Sequence, residues 1–236
     1  MATTDATVTD TEMTEPVHQG LAARELLPGE HVVDAGYVTA AHIVTARDKH
    51  RIDLLGPVGA DTVHERHEGG HIPQSAFNVD WDNRRVTCPH GAVSVSWSDQ
   101  RKPSGTPITR VHFALQDCGP CPLRAQCTKA ANGRYGRSLT LLPQAQQQVL
   151  EQRRIEQQTE AWKARYDVRA GVESTMSQAI RRTGIRRTRY TGLPKTHLGN
   201  VLAATALNII RLDAWLTDTP LGKTRTSHLA ALTLAA

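Results

Sequence analysis

Aromatic residues are scarce. Phe, Trp and Tyr together make up 4% of the 236 residues. A core with so few rings has to be built from Leu, Val, Ile and Ala, and a hydrophobic content of 39% supplies enough of them for a soluble globular chain. Long apolar runs are missing as well. The best stretch, "VLAATALNII" from Val201, is short and carries Asn208, so no segment reaches the roughly 18 apolar residues of a membrane helix. The N-terminus is rich in Thr and Asp and lacks the apolar segment of a secretory signal. These absences predict a cytoplasmic protein without a membrane partner. Thiols stay reduced there, so the four cysteines are expected to be free or metal-bound rather than paired as disulfides. No internal repeat is visible.

Charge is present and unevenly spread. The net charge is +5. Residues 1–30 hold one Arg against six acids, whereas residues 151–190 hold ten Lys or Arg against five acids. A basic patch of this kind is either a solvated face or the footprint of a polyanion partner, most often nucleic acid.

Residues 14–58 follow the rhythm of a parallel α/β sheet. "TEPVHQGLAARELLPGE" has Thr14 as a candidate N-cap and Pro16 in the first turn, and stops at Pro28-Gly29. "HVVDAGY" reads as a buried strand ending at Asp34, "TAAHIVTARDKH" as a helix, and "IDLLGPV" as a second strand. Residues 59–142 are rich in Gly, Pro, Ser and His and contain all four Cys, with alternating runs that predict a β-rich insertion. Residues 143–216 are expected to be helical. One long, Gln-rich segment runs to about Gly184, and a last helix, about 194–216, is apolar on most sides and therefore expected to pack deep. Residues 217–236 read as a flexible tail.

Several residues can carry chemistry. Asp34 falls at the C-terminal end of a strand and before a glycine, where α/β sheets bind ligands; the plainer reading is a turn aspartate. Tyr166, Arg169 and Glu173 are spaced to share one face of a helix, continued by Ser177. The plainer reading there is a surface Arg–Glu pair. Two carboxylates from distant parts of the chain suit a hard divalent cation such as Mg²⁺ or Mn²⁺, which takes oxygen ligands and completes its shell with water and phosphate. Arg181, Arg182, Arg186, Arg187 and Arg189 crowd nine residues around Gly184 and before Gly192, with Tyr190 and Lys195 beside them. Guanidinium groups match phosphate in bidentate fashion, so this run is a candidate DNA-binding element. Cys88, Cys118, Cys121 and Cys127, with one C-x2-C pair, form either a structural Zn²⁺ site or a set of reduced buried thiols. "HERHEGGH" clusters His64, His67 and His71, but its Gly-Gly predicts a helix end or loop and argues against joint ligation.

"Y-x2-R-x3-E", read as Tyr166, Arg169 and Glu173, resembles the signature around the last acid of DDE transposases of bacterial insertion sequences. "VVDAGY" resembles the strand carrying their second acid, which maps onto Asp34, and "GLPKTHLGNVLAATALNIIRL" is similar to the helix that follows their catalytic core. The Cys-containing insertion resembles one subgroup of these enzymes. The resemblance runs from about residue 3 to 216. It implies an α/β fold: a partial RNase H-like core over residues 1–58, interrupted by the insertion and completed by the helical part that carries Glu173 and the arginine loop. It further implies two Mg²⁺ ions held by three acids, and transposon-end DNA as the partner. The family's Lys seven residues after the Glu is Ile180 here, with Arg181 following. The first Asp has no counterpart on a strand, since Asp5 and Asp10 lie in a Thr-rich stretch. The chain is therefore expected to be the C-terminal part of a transposase, inactive alone and needing an N-terminal segment, with homo-oligomer formation open. The alternatives are a non-catalytic DNA-binding or regulatory remnant of a decayed element, and a zinc-stabilised nucleic-acid-binding module.

Overall fold

The computed structural model describes residues 2–61, 71–128 and 136–219. The fold is mixed α/β, with small sheets and several helices. It divides into two compact units: residues 8–169, and residues 2–7 with 170–219. His64, His67 and residues 220–236 of the expected tail lie outside the described residues.

The larger unit begins with a 3-10 turn, Asp10–Met13, leading into α1 (Thr14–Ala22). The start signal is not Thr14. Thr9 and Glu12 form a capping box, with Thr9 N donating to Glu12 Oε2 at 2.9 Å. Thr14 is already helical and buried. The chain then makes the expected strand–helix–strand unit, although its first strand is exposed to half-buried instead of buried as expected. β1 (Glu30–Val32) pairs in parallel with β2 (Asp53–Leu55), in register Glu30–Asp53, His31–Leu54 and Val32–Leu55. Between them lies α2 (Ala40–His50), capped by Thr39, whose hydroxyl accepts from His42 N at 3.1 Å. Ile43 and Ala46 of α2 meet Val33, Ile52, Leu54 and Val58 in one aliphatic core.

A second core lies under the region expected as an insertion, whose described residues form the strands its alternation predicts. β3 (Asn78–Asp80) and β4 (Arg85–Thr87) form an antiparallel pair. β5 (Ser96–Arg101), β6 (Pro107–His112) and β7 (Ser138–Leu141) form an antiparallel sheet in that order. Val111, Leu139 and Leu141 face Phe77, Phe113 and Val86. Two single-turn helices, α3 (Leu115–Cys118) and α4 (Arg124–Cys127), lie between β6 and β7.

The unbroken helix expected from residue 143 is in fact several. α5 (Gln144–Glu156) ends where Thr159 interrupts it. The Thr159 hydroxyl donates to Glu156 O at 2.7 Å and accepts from Trp162 N at 3.2 Å, so its side chain closes one helix and caps the next. α6 (Glu160–Tyr166) follows, then a 3-10 turn, Asp167–Arg169.

The smaller unit contains α7 (Ala170–Thr183) and α8 (Leu193–Leu216), with Thr3 Oγ1 within hydrogen-bond distance of His197 and Asn200. The expectation that α8 packs deep fails. Leu207 is its one buried side chain among the described residues, while Leu202 is 58% and Trp215 74% exposed. Within its unit α8 packs against α7, and a single neighbouring helix covers one stripe of a helix surface, not its whole circumference.

Candidate metal and nucleic-acid sites

Side chains alternate along β1. Glu30 and Asp34 therefore share one face and His31 the other. Asp34 follows the strand and precedes the 3-10 turn Ala35–Tyr37, the strand-end position expected of it. Its carboxylate, 49% exposed, accepts a hydrogen bond from Arg169 Nε, and the two form an ion pair. Four residues earlier, Arg165 donates to both Glu30 and Asp53, and Arg153 donates to Asp53. Glu30 and Asp53 are register neighbours across the parallel pair. The strand face is thus a row of three acids covered by three arginines from α5, α6 and the following turn. Burial alone would raise the pKa of Asp53; hydrogen bonds from Arg165 and Arg153 outweigh it and hold that carboxyl below the ordinary range. Glu30, Asp53, Arg153 and Arg165 do not stand out in the sequence. The parallel register, which places Glu30 beside Asp53, is the signal that links them.

Tyr166, Arg169 and Glu173 do not lie on one regular helix. Tyr166 closes α6 and stacks on Trp162, with ring centroids 4.8 Å apart. Arg169 closes the 3-10 turn, and Glu173 is exposed in the first turn of α7, as is Ser177 further along. The 3-10 turn breaks the i, i+4 spacing that would build a single stripe.

The arginine run lies in an exposed helix end and loop. α7 ends at Thr183, and Gly184 (φ +63°) and Gly192 (φ +90°) bracket the loop in left-handed conformations open to glycine. Arg181, Arg182, Arg186, Arg187, Arg189 and Lys195 are all exposed. Arg187, Arg189, Tyr190 and Asn200 line an open groove of about 360 Å³. Exposed guanidinium groups beside an aromatic ring can take phosphate oxygens and stack on a base.

All four cysteines are unpaired and line one cavity of about 30 Å³, with His90, Arg124 and Arg137 around it. That is room for a water-sized occupant. Arg137 N donates to Cys118 Sγ at 3.4 Å. Burial pushes the Cys127 thiol up, and the Arg137 guanidinium pulls it the other way. An amide donor on sulfur and a cationic guanidinium nearby are surroundings that favour a thiolate cluster.

A further group is not apparent from the sequence. Ligand atoms of Glu15, His18 and His50 lie within 4.8 Å of one another, so the three can hold a metal ion. Glu15 and His18 stand three residues apart on α1, a spacing that marks one helix face, but His50 is brought to them only by the fold.

The transposase DDE domain family model matches residues 87–213, more than half of the chain. The chain belongs to that family. Membership gives it a transposase-type function, with DNA as the substrate class. No curated protein and no solved structure matches the chain. Among the described residues, no helix is long and apolar enough to cross a membrane.

Proposed function

We propose that this chain serves metal-dependent DNA cleavage and strand transfer for a bacterial insertion sequence, with Asp34 and Glu173 as metal-holding acids of an RNase H-like core. The observation that carries the reading is the family match itself, which spans Glu173 and the whole arginine run. Asp34 and Glu173 are assigned to one reaction by the order of motifs along the sequence. Both fit a hard cation chemically: each is a solvent-accessible carboxylate, and Asp34 already attracts a cationic partner in Arg169. When bound, such ions activate a water or 3′-hydroxyl and stabilise the leaving oxygen. Arg181, Arg182, Arg186, Arg187, Arg189 and Lys195 hold the phosphate backbone of the transposon end. Tyr166 and Arg169 belong to the same DNA-handling signature. The four cysteines hold a structural Zn²⁺ that ties α3 and α4 to the β-rich insertion.

The resemblance implies three acids. Asp5 is fully exposed and occupied by Thr7, and Asp10 sits in a 3-10 turn; neither is on a strand. On the resemblance, end cleavage needs a third carboxylate beside Asp34 and Glu173, and we propose that another polypeptide segment supplies it. The pairing of Asp34 with Arg169 equally favours the alternative of a DNA-binding product without catalysis.

DNA affinity tests the part common to both readings. Binding should be largely independent of sequence and fall steeply with salt, because neutralised phosphates release counterions. Arg186→Ala with Arg187→Ala should reduce the slope of log K against log salt by about 2, roughly one for each phosphate that is no longer neutralised. An unchanged slope would return the arginine loop to a solvated surface.

A further inference from the structure

Four imidazole or carboxylate side chains converge where α1, β1 and the end of α2 meet. Glu15 and His18 are on α1, His31 is on β1, and His50 is the last residue of α2. His18 is 1% exposed, and the His50 side chain 9%. His50 Nε2 lies 3.1 Å from Glu15 Oε2, and His18 Nε2 lies 2.9 Å from His31 Nδ1. The His18 ring has His31 on one side and His50 on another, at centroid distances of 5.2 and 5.5 Å. The remaining contacts are peripheral. Gln19 Nε2 donates to Glu15 Oε1 at 3.0 Å, and Lys49 Nζ is 3.5 Å from the same oxygen. Glu15 Oε2 is thus the carboxylate oxygen turned towards the imidazoles.

We propose that Glu15, His18 and His50 bind a transition-metal ion of the zinc class, with His31 as the outer partner that orients His18. Two imidazoles and one carboxylate are the donor set of a borderline cation; Mg²⁺ and Ca²⁺ take all-oxygen shells instead. His31 Nδ1 contacts Nε2 of His18, which assigns Nδ1 of His18 to the ion; a partner on the other ring nitrogen is the arrangement by which ligating histidines are held in one tautomer. Burial favours the neutral, lone-pair-bearing imidazole over its cation, for a hydrogen-bonded cluster and for a metal site alike, so the decisive feature is convergence of the ligand atoms. The ion would clamp α1 to the end of α2 and hold both against β1. All four residues precede residue 87, where the family match begins, and the inference stands or falls independently of the transposase chemistry.

Co²⁺ binding to the full chain decides the matter, because cobalt bound to cysteine shows thiolate charge-transfer absorption and cobalt bound to nitrogen and oxygen does not. Metal-free wild type should bind one Co²⁺ at nitrogen and oxygen donors without that absorption, in addition to any ion on the thiolates or on Asp34 and Glu173. Glu15→Gln and His50→Gln should each abolish the nitrogen–oxygen signal and leave any thiolate signal unchanged. His31→Asn should weaken the nitrogen–oxygen site by about 10- to 100-fold, the usual effect of losing an outer partner. Zn²⁺ should raise the thermal midpoint of wild type more than that of Glu15→Gln, since an ion that binds only the folded state stabilises it. If His50→Gln does not fold by circular dichroism, Glu15→Gln alone decides. Absence of the nitrogen–oxygen signal in wild type, or its persistence at unchanged affinity in Glu15→Gln, overturns the proposal.

Discussion

Replacing Arg169 with Ala separates two roles for the guanidinium on Asp34. Its side chain is 28% exposed and that of Asp34 49%, so solvent screens the pair and its loss should cost about 1 kcal/mol of stability or less. In a chain of this size that is a fall of roughly 2–4 °C in thermal midpoint. The effect on a dication is larger. A divalent ion on Asp34 would sit about 5 Å from the guanidinium and be repelled by roughly 1.7 kcal/mol in water, reduced by salt to about 1 kcal/mol. Arg169→Ala should therefore bind Mn²⁺ about five- to tenfold more tightly at Asp34. The assay is electron paramagnetic resonance of free Mn²⁺, with Asp34→Asn as the baseline for ions held elsewhere. The double variant should lose the gain entirely. Weaker Mn²⁺ binding by a folded Arg169→Ala would refute the reasoning and show that Arg169 presents the carboxylate to the ion instead of competing with it.

Two further outcomes follow from the cysteine cavity and the acid row. If Cys88, Cys118, Cys121 and Cys127 hold zinc, purified protein should contain it, and chelation should lower the melting temperature while making all four thiols titratable; zinc-free protein with four freely reactive thiols would rule the site out. The Asp53 carboxyl has a lowered pKa in the folded state, so its contribution to stability is present above the ordinary value of 3.8 and is lost as pH falls through the folded pKa. The stability difference between wild type and Asp53→Asn should be full near neutral pH and shrink below about pH 4; a difference that grows on acidification would contradict the ion-pair account.

How much of this is legible in the sequence differs by element. The β1–α2–β2 unit is readable because the apolar runs around Val33 and Leu54 are short, with Thr39 marking the helix start. The antiparallel strands between residues 96 and 112 are readable from alternation alone. The break at Thr159 is not, because a threonine in a Gln-rich run is compatible with a helix until its hydroxyl finds Glu156 O. The burial of α8 is overestimated from sequence because apolar residues around a helix state what it can bury, not how many neighbours it has. The strand-end position of Asp34 is legible. Its pairing with Arg169 is not, nor is the convergence of Glu15, His18, His31 and His50, since these depend on contacts between separate elements that spacing along the chain does not encode.

The central proposal, that Asp34 and Glu173 serve one divalent-metal site, is tested most directly by Fe²⁺-mediated affinity cleavage of the backbone. Iron placed in the site with ascorbate and peroxide should cut the chain next to both residue 34 and residue 173. Asp34→Asn should suppress both cuts, and so should Glu173→Gln, while any cutting near His18 and His50 continues unchanged. Cleavage at one of the two positions only, or a cut at residue 173 that survives Asp34→Asn at full strength, would contradict the shared site.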